Sequence, residues 1–156
     1  MNGSFDLDAA IRKVPDFPKP GILFYDITSV LARPEAFSYC VERMVARYRD
    51  AAVDAVAAVE SRGFLFGAPL ARELELPLLL IRKAGKLPGA TVSKTYELEY
   101  GSDTIEMHRS DLETNRNVLI VDDLIATGGT VRAAADLIHE AGSRVHEVFS
   151  VIGLPF

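Results

Sequence analysis

Residues 118–130 read Val-Leu-Ile-Val-Asp-Asp-Leu-Ile-Ala-Thr-Gly-Gly-Thr, and few folds accommodate that order. Val118 to Val121 form a short apolar, β-branched-rich run without polar alternation. Such a run predicts a strand buried on both faces of a parallel sheet. Asp122 and Asp123 follow where that strand should end. A loop of small residues, Ala126 to Gly129, comes next, and Thr130 opens a segment of helical period. Val131, Ala134, Ile138 and Ala141 share one face of it, and Gly142 supplies a stop. A glycine loop between a strand end and a helix start lets backbone N–H groups converge on one point, aided by the helix dipole. That geometry holds a phosphate. Carboxylates would repel a phosphate, so Asp122 and Asp123 must serve another purpose. Accepting hydrogen bonds from sugar hydroxyls, or orienting a hydrated Mg²⁺, fits their charge and position. The expected ligand is a sugar phosphate.

The loop is neither of the common nucleotide loops. A Walker loop requires Lys after its last glycine, whereas Thr130 follows Gly129, and no Gly-x-Gly-x-x-Gly occurs in the chain. A purely structural strand–turn–helix would also employ Asp and Gly, but it does not require the whole run. The run resembles the phosphoribosyl-pyrophosphate (PRPP) motif of type I phosphoribosyltransferases, in which an apolar strand, two acidic residues and a Thr/Gly-rich loop follow one another. That resemblance assigns Ala126, Thr127, Gly128, Gly129 and Thr130 to the 5′-phosphate and Asp122 and Asp123 to ribose hydroxyls.

A net charge of −5 argues against broad nucleic-acid binding, which calls for a basic face. It also leaves no favourable long-range field for a polyanion such as PRPP, so positive charge must be concentrated locally. Arg62 and the cluster Arg82, Lys83 and Lys86 can supply it. The apolar runs, such as Pro77 to Ile81, are too short to span a bilayer. Asp6 and Asp8 occupy a start without an apolar leader, so no secretory signal is expected. The single cysteine, Cys40, suits a reducing cytoplasm. Its neighbours Phe37, Met44 and Tyr48 mark it as a buried structural thiol rather than a nucleophile. His108, His139 and His146 are scattered, so no metal held by the protein is expected.

The apolar pattern predicts a helical start over Asp6 to Lys13, and then an extended arm stiffened by Pro15, Pro18 and Pro20. Ile22 to Tyr25 reads as a brief extended segment. A helix is expected over Pro34 to Tyr48, a strand over Ala55 to Val59, a helix over Phe64 to Glu73 and a strand over Leu78 to Ile81. Thr91 to Tyr100 and Thr104 to His108 flank a turn at Gly101-Ser102, and Val145 to Ile152 gives a last strand. Alternation of strands and helices indicates an α/β fold, a mainly parallel twisted sheet flanked by helices, with a β-hairpin added. No repeat or linker divides residues 1–156, so one domain is expected. In such sheets ligands sit beyond the carboxyl ends of the strands. Three of those ends carry suggestive loops: Glu60 to Gly63, Arg82 to Gly89, and Asp122 to Thr130.

Further segments extend the resemblance from about Asp16 to Ile152. Glu60-Ser61-Arg62-Gly63, leading into Phe64-Leu65-Phe66-Gly67-Ala68-Pro69, is similar to the pyrophosphate-binding loop of adenine phosphoribosyltransferases. Taken alone, Arg62 reads more readily as a solvated side chain. Arg82 to Gly89 looks like the next basic loop of that family, and Thr95 to Gly101 like its mobile flap, together spanning 82–108. The resemblance alone, not the period, singles out Glu99 as the acid/base group, with Arg62 as the second catalytic candidate and Lys83 and Lys86 on pyrophosphate. Asp16 to Thr28 is similar to the purine-receiving segment of a base-binding arm over 1–33. There Phe24 would stack on the base, flanked by the Leu23 and Tyr25 backbone; a core aromatic is an equal alternative on the residues alone. Two features depart from the family: Tyr25 stands where Arg is usual, and the sequence stops at Leu154-Pro155-Phe156, short of a further strand and helix. The resemblance implies transfer of phosphoribose from PRPP to adenine, Mg²⁺ carried by PRPP, and a cytoplasmic homodimer. A sibling acting on xanthine or hypoxanthine, or a PRPP-sensing regulator without catalysis, remains open.

Overall fold

The computed structural model describes residues 5–98, 100–112 and 116–154. The chain divides into two compact units, Met1–Met44 and Val45–Phe156. In the first, helix α1 (Leu7–Ala10) is capped by Asp6, whose side chain accepts the Ala9 N–H at 3.1 Å. Strands β1 (Arg12–Pro15) and β2 (Leu23–Asp26) pair antiparallel, Lys13 opposite Tyr25 and Val14 opposite Phe24. The helical start expected over Asp6 to Lys13 therefore ends at Ala10. Four residues cannot sustain a helix on their own, and Arg12 and Lys13 gain ladder bonds as strand. The expected extended arm is likewise a hairpin. Asp16 (φ 57°) and Gly21 (φ 87°) turn the chain, and the Asp16 carboxylate accepts the Gly21 N–H at 2.8 Å. Helix α2 (Thr28–Leu31) follows, and the boundary between the units falls within α3 (Pro34–Tyr48). Cys40 on α3 is buried, and burial pushes its thiol up to about 11.

The second unit is built on a six-stranded sheet. Its strands are β3 (Ala55–Val59), β4 (Leu78–Lys83), β5 (Thr91–Glu97), β6 (Ser102–His108), β7 (Asn117–Ile125) and β8 (Arg144–Gly153), in spatial order β5-β6-β4-β3-β7-β8. Pairs β4–β3, β3–β7 and β7–β8 are parallel, and the β5–β6 hairpin joins antiparallel through β4. Every residue of β3 is buried, as its unbroken apolar run requires of a strand covered on both faces. Helix α4 (Gly63–Leu74) connects β3 to β4, and helix α5 (Gly129–Glu140) connects β7 to β8.

The two crossovers leave in opposite directions and cover opposite faces. Ala55, Ala57 and Val59 share a core with Ala133, Ala134, Leu137 and Ile138 of α5. On the other face, α4 lies so close that a Cβ at Gly67 would sit 2.6 Å from the Ala58 Cβ. The gap between β3 and β7 is thus the point at which the winding reverses, where open α/β sheets place their ligand crevice. Strand β7 does not stop before the acidic pair. Pairing with β8 continues through Asp122, Leu124 and Ile125, because β8 is long enough to keep supplying partners. Strand β4 also outruns its expected end: Arg82 and Lys83 pair with Glu106 and Ile105 and belong to the strand rather than to a loop. Among the described residues no helix is long and apolar enough to cross a membrane.

Candidate active site

The carboxyl ends of β3, β4 and β7 open into a cleft of about 590 Å³, lined by Glu60, Ser61, Arg62, Arg82, Lys83, Asp122, Asp123 and Thr130 together with Tyr96, Leu98 and Asp103 of the hairpin. Five of the sequence candidates, Arg62, Lys83, Asp122, Asp123 and Thr130, meet here. A close approach sets their spacing. A Cβ at Gly63 would lie 2.9 Å from the Val121 carbonyl oxygen, so only glycine lets the first turn of α4 rest against β7. That contact brings the Arg62 Nε to 2.7 Å from the Asp123 Oδ2. Asp123 is buried, whereas the Arg62 side chain is 49% exposed, so the guanidinium presents a free edge to solvent and ligand.

Beside this cleft a smaller hollow of about 150 Å³ is lined by Asp122 and by the stretch Leu124 to Val131. It includes Ala126, Thr127, Gly128, Gly129 and Thr130, the whole expected phosphate loop. Gly128 precedes α5 with φ 80°, a left-handed conformation that side chains disfavour. Gly129 is already helical, and a Cβ there would make only ordinary contacts, the nearest at 3.7 Å from the Tyr96 ring. The conformational demand of the loop therefore rests on Gly128. The N–H groups of the first turn of α5 have no intrahelical acceptors, and they open on this hollow. The Tyr96 hydroxyl lies 3.1 Å from the Thr130 Oγ1, joining the hairpin to the helix start.

The charges in the cleft are paired internally. Besides Arg62 with Asp123, the Arg82 Nε lies 3.1 Å from the Glu60 Oε2 and the Lys83 Nζ 2.6 Å from the Asp103 Oδ2. Lys83 holds the Asp103 carboxyl below its ordinary range, and Asp103 in turn raises the Lys83 ammonium. Burial pushes the Glu60 carboxyl up, but the Lys83 N–H (2.9 Å) and the Arg82 guanidinium outweigh it and leave it below the usual range. Asp122 moves the other way. Burial, then the hydrogen bond to the neighbouring Asp123 carboxyl, pushes it up to about 7. Two adjacent carboxyl groups beside one guanidinium thus favour a shared proton.

Some expected residues lie elsewhere. Lys86 is exposed and does not line the cleft. Leu23, Phe24 and Tyr25 form β2 in the first unit: Leu23 is exposed, Phe24 meets Phe17 edge-on at 5.0 Å, and the Lys13 ammonium sits 5.9 Å from the Tyr25 ring. Glu99 lies outside the described residues. Sequence reasoning placed Glu60 in the loop after β3 and Tyr96 in the flap without giving either a role, and it missed Asp103. No group of three or more His, Cys, Asp or Glu side chains that could hold a metal occurs among the described residues.

The family model for the phosphoribosyl transferase domain matches residues 27–152, spanning the cleft, the hollow and every strand that forms them. The chain belongs to the phosphoribosyl transferases. Within that family it is 57% identical over 150 residues to an adenine phosphoribosyltransferase of Treponema denticola, covering 96% of this chain and 79% of that protein. The Treponema pallidum adenine phosphoribosyltransferase is 55% identical over all of this chain and 82% of its own length. Among solved structures, the Saccharomyces cerevisiae adenine phosphoribosyltransferase, complexed with an imino-altritol bisphosphate and adenine, superposes with a TM-score of 0.88. It is 38% identical and matches 95% of this chain and 86% of that one. The Giardia lamblia enzyme complexed with 9-deazaadenine gives 0.87 at 34% identity, over 97% of each chain.

Proposed function

We propose that this phosphoribosyl transferase moves the 5-phosphoribosyl group of PRPP onto adenine, giving AMP and pyrophosphate. The observation that carries the reading is the hollow over Ala126 to Thr130 opening beside a cleft with three cations, at the sheet's point of reversal. The relatives and solved structures named for adenine transfer support the choice of base. Backbone N–H groups of 126–130, with the Thr127 and Thr130 hydroxyls, hold the 5′-phosphate. Asp123, buried and fixed by Arg62, and Asp122 accept the ribose hydroxyls. Arg62 keeps its pair with Asp123 and offers the free edge of its guanidinium to the pyrophosphate, while Lys83 turns from Asp103 toward it. An exposed pair such as Lys83–Asp103 contributes only about 0.2–1 kcal/mol, so a polyanion displaces it readily. Lys86 reaches pyrophosphate only by its flexible side chain from the loop.

As pyrophosphate departs, the anomeric carbon becomes oxocarbenium-like, and the protein must align the reactants, stabilise the departing charge and exclude water. Glu99 on the flap relays the purine proton, and the segment Leu23 to Tyr25, with Phe24 stacking, receives the base. Mg²⁺ carried by PRPP would offset pyrophosphate charge alongside Arg62 and Lys83. The raised Asp122 carboxyl beside Asp123 suits a group that gives up its proton when a hydrated cation or a hydroxyl arrives. A cytoplasmic location, which a single buried cysteine suits, and a homodimer complete the reading; light scattering checks the dimer.

Incubation with PRPP, Mg²⁺ and one base at a time tests the activity. Adenine should give AMP and pyrophosphate in equal amounts, at a kcat/KM well above that for hypoxanthine or xanthine. Faster formation of another nucleotide would reassign the base, and PRPP binding without any nucleotide would make the protein a sensor.

A further inference from the structure

One buried carboxylate has no part in the roles above. Glu106 lies between Ile105 and Met107 on β6 and is only 6% exposed. Its Oε1 accepts the Leu87 N–H at 2.9 Å and the Lys86 N–H at 3.1 Å. These bonds, the one from Leu87 foremost, hold its carboxyl below the ordinary range. A buried carboxylate is costly unless its lone pairs are satisfied, and here the satisfying groups all come from one short stretch of loop.

Besides these bonds, that stretch is held by the Ala84 N–H donating to the Thr104 carbonyl at 2.9 Å and the Lys86 N–H to the Lys83 carbonyl at 3.3 Å. Ala84, Gly85, Lys86, Pro88 and Gly89 are exposed, and both glycines have positive φ. The Lys86 peptide nevertheless is gripped from two sides. Glu106 shares its N–H with the Lys83 carbonyl, and the Arg82 Nη1 donates to its carbonyl at 3.4 Å. Arg82 stands opposite Glu106 in the β4–β6 register, so both side chains rise from the same sheet face. Arg82 is itself oriented by Glu60, which also accepts the Lys83 N–H. The loop is therefore framed by two carboxylates, one at the cleft and one beneath it. Ordering a free loop costs about 1–2 kcal/mol per residue in backbone entropy, and a loop already framed avoids part of that cost when a ligand binds.

We propose that Glu106 is a positioning residue for the pyrophosphate half of PRPP: it clamps the Lys86–Leu87 backbone and so shapes the segment 82–89 before substrate arrives. The inference rests on the proposed function, in which that segment serves pyrophosphate. Glu106 touches neither substrate nor the reacting carbon and acts wholly through the loop.

Glu106→Ala and Glu106→Gln test it by two independent readings. In steady-state kinetics, Glu106→Ala should raise the PRPP KM roughly ten- to hundredfold, the range for losing charge-assisted hydrogen bonds, with the adenine KM and kcat within about threefold. Glu106→Gln should recover most of the loss, because its amide oxygen accepts the same two N–H groups. In hydrogen exchange of the free enzyme, the Lys86 and Leu87 amides should exchange faster in Glu106→Ala and near the wild-type rate in Glu106→Gln. Should Glu106→Ala not fold, Glu106→Asp, one methylene too short to reach Leu87, takes its place under the same two readings. Unchanged exchange at Lys86 and Leu87 would overturn the proposal, as would equal loss in the Gln and Ala variants or a rise in the adenine KM matching that for PRPP. A wild-type protein that makes no nucleotide would sink the proposed function alone, since the exchange reading needs no turnover.

Discussion

The two loops that serve the cleft are shaped by opposite means. The loop after β7 is made by backbone conformation: Gly128 in the left-handed region, Gly129 entering α5, and N–H groups left over at a helix start. It uses no charged side chain. The segment after β4 leans on side chains from elsewhere: Glu60 from the end of β3 accepts the last N–H of β4, and Glu106 from β6 accepts the Lys86 and Leu87 N–H groups. A loop of the first kind is written in consecutive residues. A loop of the second kind depends on which strands come to lie beside it. The first should be brittle toward a change of backbone conformation, the second toward a change of acceptor.

Chemistry should be separable from both loops. Glu99→Gln is expected to lower kcat by roughly 10²–10⁴-fold, the range for a general acid–base group, with little change in the PRPP KM. Glu97→Gln, at the end of β5, should stay near wild type in paired steady-state kinetics. A Glu97 variant more sensitive than the Glu99 variant would move the proton relay off Glu99.

The next largest effect belongs to the backbone-made loop. Gly128→Val should raise the PRPP KM roughly ten- to hundredfold, because a β-branched residue at φ 80° carries about 1–3 kcal/mol of strain. Gly129→Ala, where a Cβ meets only ordinary contacts, should be several-fold milder. Equal damage from both would show that bulk near the phosphate, rather than φ, is the constraint.

This contrast also explains how far the sequence could be read. The strand–loop–helix over 118–140 was legible because period, small residues and the Gly142 stop all lie within one short window. Its acidic pair lines the cleft, but β7 continues past it to Ile125 because β8 continues to supply partners. Asp103 and Glu106 left no local signal, and Glu60 showed only its place in the loop after β3. A Glu two residues before His108 acquires meaning only when Arg82 becomes its cross-strand neighbour. The same holds for Arg12 and Lys13, read as helix until β2 pairs with them. Non-local pairing, rather than weak propensity, hid these residues.

The acidic pair offers a test through pH. Asp122 is raised to about 7 in the folded enzyme, against an ordinary carboxyl range near 4. Between those values the native state binds more protons than the unfolded chain, so this group's contribution to stability is full below about pH 4 and is lost as pH rises toward about 7. Urea titrations at successive pH values should show that decline in the wild type and a flatter profile in Asp122→Asn. Parallel profiles would mean that the proton is not held at Asp122. The smallest effect is expected at Asp103. Asp103→Asn releases Lys83 from an exposed pair, and the PRPP KM should fall by no more than about fivefold. A rise would show that Asp103 orients Lys83 for the ligand instead of competing with it.

The most direct test of one substrate held by two differently built loops is to titrate the backbone amides by NMR with the two halves of PRPP. Ribose 5-phosphate should shift the amides of 126–130 and leave those of 83–87 unmoved, and Mg²⁺–pyrophosphate should do the reverse. PRPP itself should move both sets together. Halves that perturb the same amides, or PRPP that leaves either set unmoved, would contradict the account.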